Sequence, residues 1–156
     1  MSAIGEKSFV IFPLGARRFA FPADAVTELA KPDLLQVFPH RTKMLAGVLV
    51  RRGRIVPVLD IAQVLVGPDA PPRKFYLIVN RKRDQRSEWT AIPVTGECEL
   101  ANSELIARTS TMPQYASGFL SLGDEVVEVV ALNAFDAFND GLDNATGKLP
   151  SREARS

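Results

Sequence analysis

Ala46-Gly47-Val48-Leu49-Val50-Arg51-Arg52-Gly53-Arg54-Ile55-Val56-Pro57-Val58-Leu59-Asp60 decides the fold. Two short apolar runs, 46–50 and 55–59, flank a polar tip whose Gly53 can take positive φ, which is the signature of a β-hairpin. Pro57 donates no backbone hydrogen bond, so the second strand is expected at a sheet edge or at a bulge. Asp60 ends that strand and is placed to N-cap a short helix through Val64 and Leu65. The pattern then returns. Gly118-Phe119-Leu120-Ser121-Leu122, a Gly123-Asp124 tip and an apolar run from Val126 to Leu132 repeat the hairpin, with Asn133 as a cap before Phe135 and Phe138.

The repeat extends beyond the hairpin. Phe19-Ala20-Phe21-Pro22 returns as Thr90-Ala91-Ile92-Pro93, Glu28-Leu29 as Glu99-Leu100, and Gly47-Val48-Leu49 as Gly118-Phe119-Leu120. The offset is constant: 93 − 22, 100 − 29 and 118 − 47 each give 71. A fixed offset over that distance indicates a duplicated supersecondary unit. The breaker-rich stretch Gly67-Pro68-Asp69-Ala70-Pro71-Pro72-Arg73 is the natural junction, giving module one over 8–66, a linker over 67–73 and module two over 74–138. Phe75 to Val79 opens the second module as Phe9 to Phe12 opens the first, and Asn80 to Arg86 forms a longer, basic hairpin tip. Residues 139–156 lose apolar periodicity and read as a disordered tail.

Met44 to Ile61 resembles the hallmark segment of the CheW family, the coupling proteins of bacterial chemosensory arrays. The family pattern is close to Gly-Val-Ile-Asn-Leu-Arg-Gly-x-Ile-Val-Pro-Val-x-Asp-Leu. The resemblance runs from Ser8 to Phe138 and takes in the Phe9–Phe12 strand with its Leu14-Gly15 turn, the Phe19–Pro22 strand and the closing hairpin. It implies an all-β fold of two packed, five-stranded SH3-like barrels with short helices, in a single domain over 8–138. It further implies a non-enzymatic adaptor without cofactor, whose partners are a CheA-type histidine kinase and the cytoplasmic tips of chemoreceptors. On that basis the partner-binding residues are Gly47, Val48, Val50, Arg51, Arg52, Gly53, Ile55, Val56, Pro57 and Asp60. Two departures stand out. Val50-Arg51 replaces the usual Asn-Leu, and Ala91-Ile92-Pro93-Val94-Thr95-Gly96-Glu97 replaces a Gly-Leu-Leu-Val-Asp-x-Val segment, so its aspartate is absent.

Composition agrees with a scaffold that chooses partners by local chemistry. At 156 residues the chain can bury roughly 70% of its unfolded surface, enough for a core without staples. Lys and Arg number 19 against 18 Asp and Glu, which leaves no global field for nucleic acid or an anionic membrane. Cys98 is the single cysteine, so no internal disulfide or thiolate metal site is available, as fits a reducing compartment. The Phe9–Ala16 run is interrupted by Pro13 and preceded by Glu6 and Lys7, which reads as a first strand rather than a signal peptide. These features lead to the expectation of a cytoplasmic protein, and the resemblance implies a position at the inner face of the membrane through receptor arrays.

Catalytic chemistry finds little support. His40 is the sole histidine and has no second histidine to share a metal. Ser117 and Ser121 lie on a strand without a nucleophile elbow. Gly141 to Lys148 has five residues between its glycines where a phosphate loop needs four, and ends in Leu149. Glu125 and Glu128 fall on opposite strand faces and do not form an acid/base pair. A small barrel that binds nucleic acid or another ligand is the alternative, since small barrels often bind polymers, and the Arg81–Arg86 tip could grip phosphates. That tip lacks interleaved aromatics, and Asp84 and Glu88 dilute it.

Overall fold

A computed structural model describes residues 6–31, 35–36, 45–83 and 85–135. His40, Phe138, Asp84 and the 139–156 segment, with the phosphate-loop imitation inside it, lie outside the described residues. The strands are β1 (Glu6–Leu14), β2 (Arg17–Pro22), β3 (Val26–Ala30), β4 (Leu35–Gln36), β5 (Leu45–Arg51), β6 (Arg54–Leu59), β7 (Phe75–Arg83), β8 (Arg86–Val94), β9 (Glu99–Glu104), β10 (Ile106–Ala107), β11 (Ala116–Leu122) and β12 (Glu125–Val130). Helix α1 (Ala62–Leu65) follows β6, and short 3₁₀ turns occupy Ala23–Ala25 and Leu132–Phe135.

The fold is all-β, with two SH3-like barrels, each of five main strands and one two-residue strand. One sheet runs β10-β11-β12-β2-β1-β9 and the other β3-β7-β8-β6-β5-β4. Advancing every strand of the second sheet by six positions, and wrapping at the end, reproduces the first. The 71-residue offset survives in space, since β4, β5 and β6 begin at 35, 45 and 54 while β10, β11 and β12 begin at 106, 116 and 125. Even the register shifts match, at Leu45/Gly47 and Ala116/Gly118.

The sheets do not follow the consecutive modules 8–66 and 74–138. Each copy of the repeat lends its first hairpin to the other sheet: β1 and β2 join β9–β12, while β7 and β8 join β3–β6. Parallel pairings make the splice, Glu128↔Phe19 and Val129↔Ala20 in one sheet and Val58↔Ala91 in the other. The exchanged strands are apolar on both faces, as strands covered on both sides must be. Along β1, Phe9 and Ile11 enter one barrel interior with Leu120, Val127 and Val129, while Val10, Phe12 and Leu14 face the core between sheets. Along β7, Tyr76 and Ile78 enter the other interior with Leu49, Val56 and Val58, while Leu77 and Val79 turn to the shared core. Phe12 stacks on Phe21 at a centroid distance of 4.9 Å in that shared core.

Among the described residues four prolines sit within strands, and one rule accommodates them. Pairing alternates between hydrogen-bonded and non-hydrogen-bonded partners, starting from the pair that closes each two-residue turn. Counted from Leu14↔Arg17, Pro13 and Pro22 fall in non-hydrogen-bonded pairs, as do Pro57 counted from Arg51↔Arg54 and Pro93 counted from Arg83↔Arg86. The sheet edge or bulge expected at Pro57 is therefore corrected, since the register shift of this hairpin falls at Leu45/Gly47 and Pro57 pairs regularly with Val48. Strand β6 is interior, and the missing N–H of Pro57 points toward β8, where pairing is confined to Val58↔Ala91. The β7–β8 ladder also runs to Arg83↔Arg86, so most of the expected Asn80–Arg86 tip is strand.

Candidate functional site: the β5–β6 corner

Arg52 and Gly53 form the two-residue turn between β5 and β6, with φ of 54° and 74°. Positive φ at both central positions is the I′ geometry that matches strand twist. Gly53 meets it without a Cβ penalty, whereas Arg52 is a non-glycine residue held in the left-handed region.

The ten residues expected at a partner surface separate into three groups. Val50, Arg52, Gly53 and Ile55 are exposed, with Ile55 at 73% and Val50 at 42%. Val50 and Ile55 are cross-strand neighbours and make an outward apolar pair. Gly47, Val48 and Val56 are buried and Pro57 is half-buried, so they shape the hairpin from beneath. Asp60 does not cap α1 through its side chain. Its carboxylate accepts bonds from Arg73 Nε at 3.2 Å and Nη2 at 2.8 Å, and Arg73 also donates to the Ala70 and Pro71 carbonyls. Asp60 thus folds the linker back onto the hairpin's end.

Arg51 is half-buried and turns toward β3. Its Nε and Nη2 donate to Glu28 Oε2 and Oε1 at 2.9 and 3.0 Å, a bidentate fork. Arg52 donates to the same two oxygens at 3.4 Å each. The Arg51 guanidinium first, and that of Arg52 after it, holds the Glu28 carboxyl at about 2. This ion pair ties β3, an edge of the sheet, to the end of β5 and so helps close the barrel. From the other strand of the hairpin, the Arg54 guanidinium lies 4.0 Å from the centroid of Trp89 on β8. Glu28 and Trp89 were not among the expected site residues, because each reaches the hairpin across the sheet rather than along the chain.

The other sheet carries an equivalent corner with different chemistry. Arg18 on β2 donates through Nε to Glu125 at 3.1 and 3.2 Å and also pairs with Glu99. Glu125, Glu99 and Arg18 stand 71 residues from Arg54, Glu28 and Trp89, so a cationic corner in one sheet answers an acidic one in the other. Both carry exposed apolar side chains at matching positions, Leu29 and Ile55 against Leu100 and Val126. Glu128 faces away from this cluster and is held by Arg17 and by the Tyr115 hydroxyl at 2.8 Å.

Among the described residues no three His, Cys, Asp or Glu side chains converge as a metal site, and no helix is long and apolar enough to cross a membrane. Burial pushes the Cys98 thiol up to about 11.

Comparison with known proteins gives a consistent result. Residues 8–137 match the family model described as a CheW-like domain. The chain is 21% identical over 135 residues to a probable chemotaxis protein CheW from Rhizobium etli, covering 83% of this chain and 87% of that protein. It is 33% identical over 60 residues to protein FrzA of Myxococcus xanthus, covering 38% of each. The crystal structure of the scaffolding protein TtCheW from Thermoanaerobacter tengcongensis superposes with a TM-score of 0.69 at 17% identity, over 81% of this chain and 84% of that one.

Proposed function

The chain belongs to the CheW-like domain family, whose members are non-enzymatic chemotaxis scaffolds, and from that premise we propose that it couples chemoreceptor tips to a CheA-type histidine kinase. The observation that carries this reading is the β5–β6 tip, which lies inside the family match and presents Val50, Arg52, Gly53 and Ile55 together on the surface. An exposed apolar pair beside a guanidinium is suited to partner recognition, because the apolar atoms supply burial and the cation supplies orientation. Gly47, Val48, Val56 and Pro57 hold that surface in register from below.

An adaptor must engage two partners at once, and the two non-equivalent corners offer separate surfaces for doing so. A receptor that shifts between conformations with different affinity for one corner would bias a kinase held at the other. The working compartment is the cytoplasm, at the inner face of the membrane within receptor arrays, and the coupling needs no cofactor. Calorimetry of the purified protein against every CheA-type kinase of its own cell tests the reading. Cofactor-independent binding to the regulatory domain of one of them is expected, and absence of binding to all of them overturns it.

A further inference from the structure

Two arginines share the Glu28 carboxylate, and they do so unequally. Arg51 donates at 2.9 and 3.0 Å, within the ordinary range for a charge-assisted bond. Arg52 reaches the same oxygens only at 3.4 Å, beyond the usual N–H···O distance. Their surroundings differ in the same sense, since the Arg51 side chain is 33% exposed and that of Arg52 is 64% exposed. Arg51 leaves the strand end toward β3, whereas Arg52 sits at the apex of the turn. Arg51 also stands where the family pattern has an uncharged leucine.

The consequence is electrostatic. Glu28, Arg51 and Arg52 together carry one net positive charge, and with a neutral residue at 51 they would carry none. A carboxylate arriving at the tip would then have to compete with Glu28 for Arg52. With Arg51 present, Glu28 is already satisfied by a planar fork, and the incoming group meets a guanidinium held to Glu28 only by the longer 3.4 Å contacts, beside Val50 and Ile55.

We propose that Arg51 is a positioning residue: it occupies Glu28 and so leaves Arg52 to bind a carboxylate-bearing segment of the partner. This deepens the adaptor reading and rests on it only for the partner's identity.

The test follows the modification of each arginine by phenylglyoxal in the intact protein, read by peptide mapping, with Arg17 on the other sheet as the internal standard. In the wild type, Arg52 is expected to react faster than Arg51. In Arg51→Leu, Arg52 is expected to slow by roughly three- to fivefold, the change an exposed ion pair produces when it takes over the carboxylate. In Arg51→Leu combined with Glu28→Gln the fast rate returns, which separates capture by Glu28 from a general change in fold. A blocked oligoglutamate peptide is expected to protect Arg52 in the wild type and to protect it less in Arg51→Leu. An unchanged Arg52 rate in Arg51→Leu, or equal protection in both proteins, overturns the proposal. If the rates behave as expected while no kinase or receptor tip binds, this role of Arg51 stands and the adaptor reading falls.

Discussion

The Arg54 guanidinium lies 4.0 Å from the Trp89 ring centroid, and 71 residues away along the repeat the same two positions are Glu125 and Arg18, joined as an ion pair. One backbone corner is thus fastened by a cation over an aromatic face in one barrel and by opposite charges in the other. The first is less sensitive to salt, because part of the contact is dispersion between planar groups.

Trp89 is the single tryptophan, so its fluorescence reports this corner without interference. Arg54→Ala is expected to shift its emission to the red, as the half-buried ring gains water, and to lower stability by about 0.5–1 kcal/mol. Emission spectra and urea unfolding on one sample check both. An unshifted spectrum would mean that the stacking does not persist in solution.

Arg52 occupies the first central position of a I′ turn, where Asn is far better tolerated than Arg. Arg52→Asn is therefore expected to keep or raise thermal stability, by up to about 1 kcal/mol. Affinity for kinase or receptor should meanwhile fall by about 1 kcal/mol or more if the guanidinium anchors a partner. Arg52→Asn that melts earlier and binds normally would make this side chain structural.

Acid should unfasten the β3–β5 corner in a defined window. Hydrogen bonds from Arg51, then Arg52, lower the Glu28 carboxyl from 4.5 to about 2. With the folded value below the unfolded one, the stabilisation is complete above 4.5 and disappears as pH falls toward 2. Solvent contact keeps its size below about 1 kcal/mol. The measurement is the difference in urea midpoint between wild type and Glu28→Gln across that range. It should shrink toward zero on acidification, and a constant difference would show that the ion pair contributes nothing through its charge.

A cut within 67–73 should yield two pieces that do not fold alone. In the 1–66 piece, Phe12, Phe19 and Phe21 would lose Leu77, Val79, Ile92 and Val94, their neighbours in the shared core. Circular dichroism of each piece should show little ordered strand, and mixing them should restore it. A folded, monomeric 1–66 fragment would contradict the exchange.

The hairpin at 46–59 was legible because its information is local: apolar runs, a polar tip and a glycine at the required φ all lie within one window. The duplication was legible for the same reason, as similar short words at one spacing. The exchange of β1–β2 with β7–β8 was not. It depends on the parallel pairings Val58↔Ala91 and Glu128↔Phe19, which leave no mark in either strand beyond apolarity on both faces. Asp60 misled for a related reason. A carboxylate before a helix predicts a cap, but Arg73 offers a charged fork that outcompetes backbone N–H groups. Glu28 and Trp89 lay in plain view and acquire meaning only when the sheet brings β3 and β8 beside β5 and β6.

The crossed hairpins also bear on how such a chain could arise. Two identical copies of a single unit, each handing its first hairpin to the other about a two-fold axis, would form a domain-swapped homodimer with this strand order. Joining the copies through the 67–73 segment turns that dimer into one polypeptide without moving a strand. Symmetry then ceases to bind the sequence: a substitution at one corner no longer appears at its mate. A symmetric dimer has to offer the same face twice, whereas the single chain keeps a guanidinium over tryptophan on one side and a carboxylate cluster on the other, two faces of different chemistry.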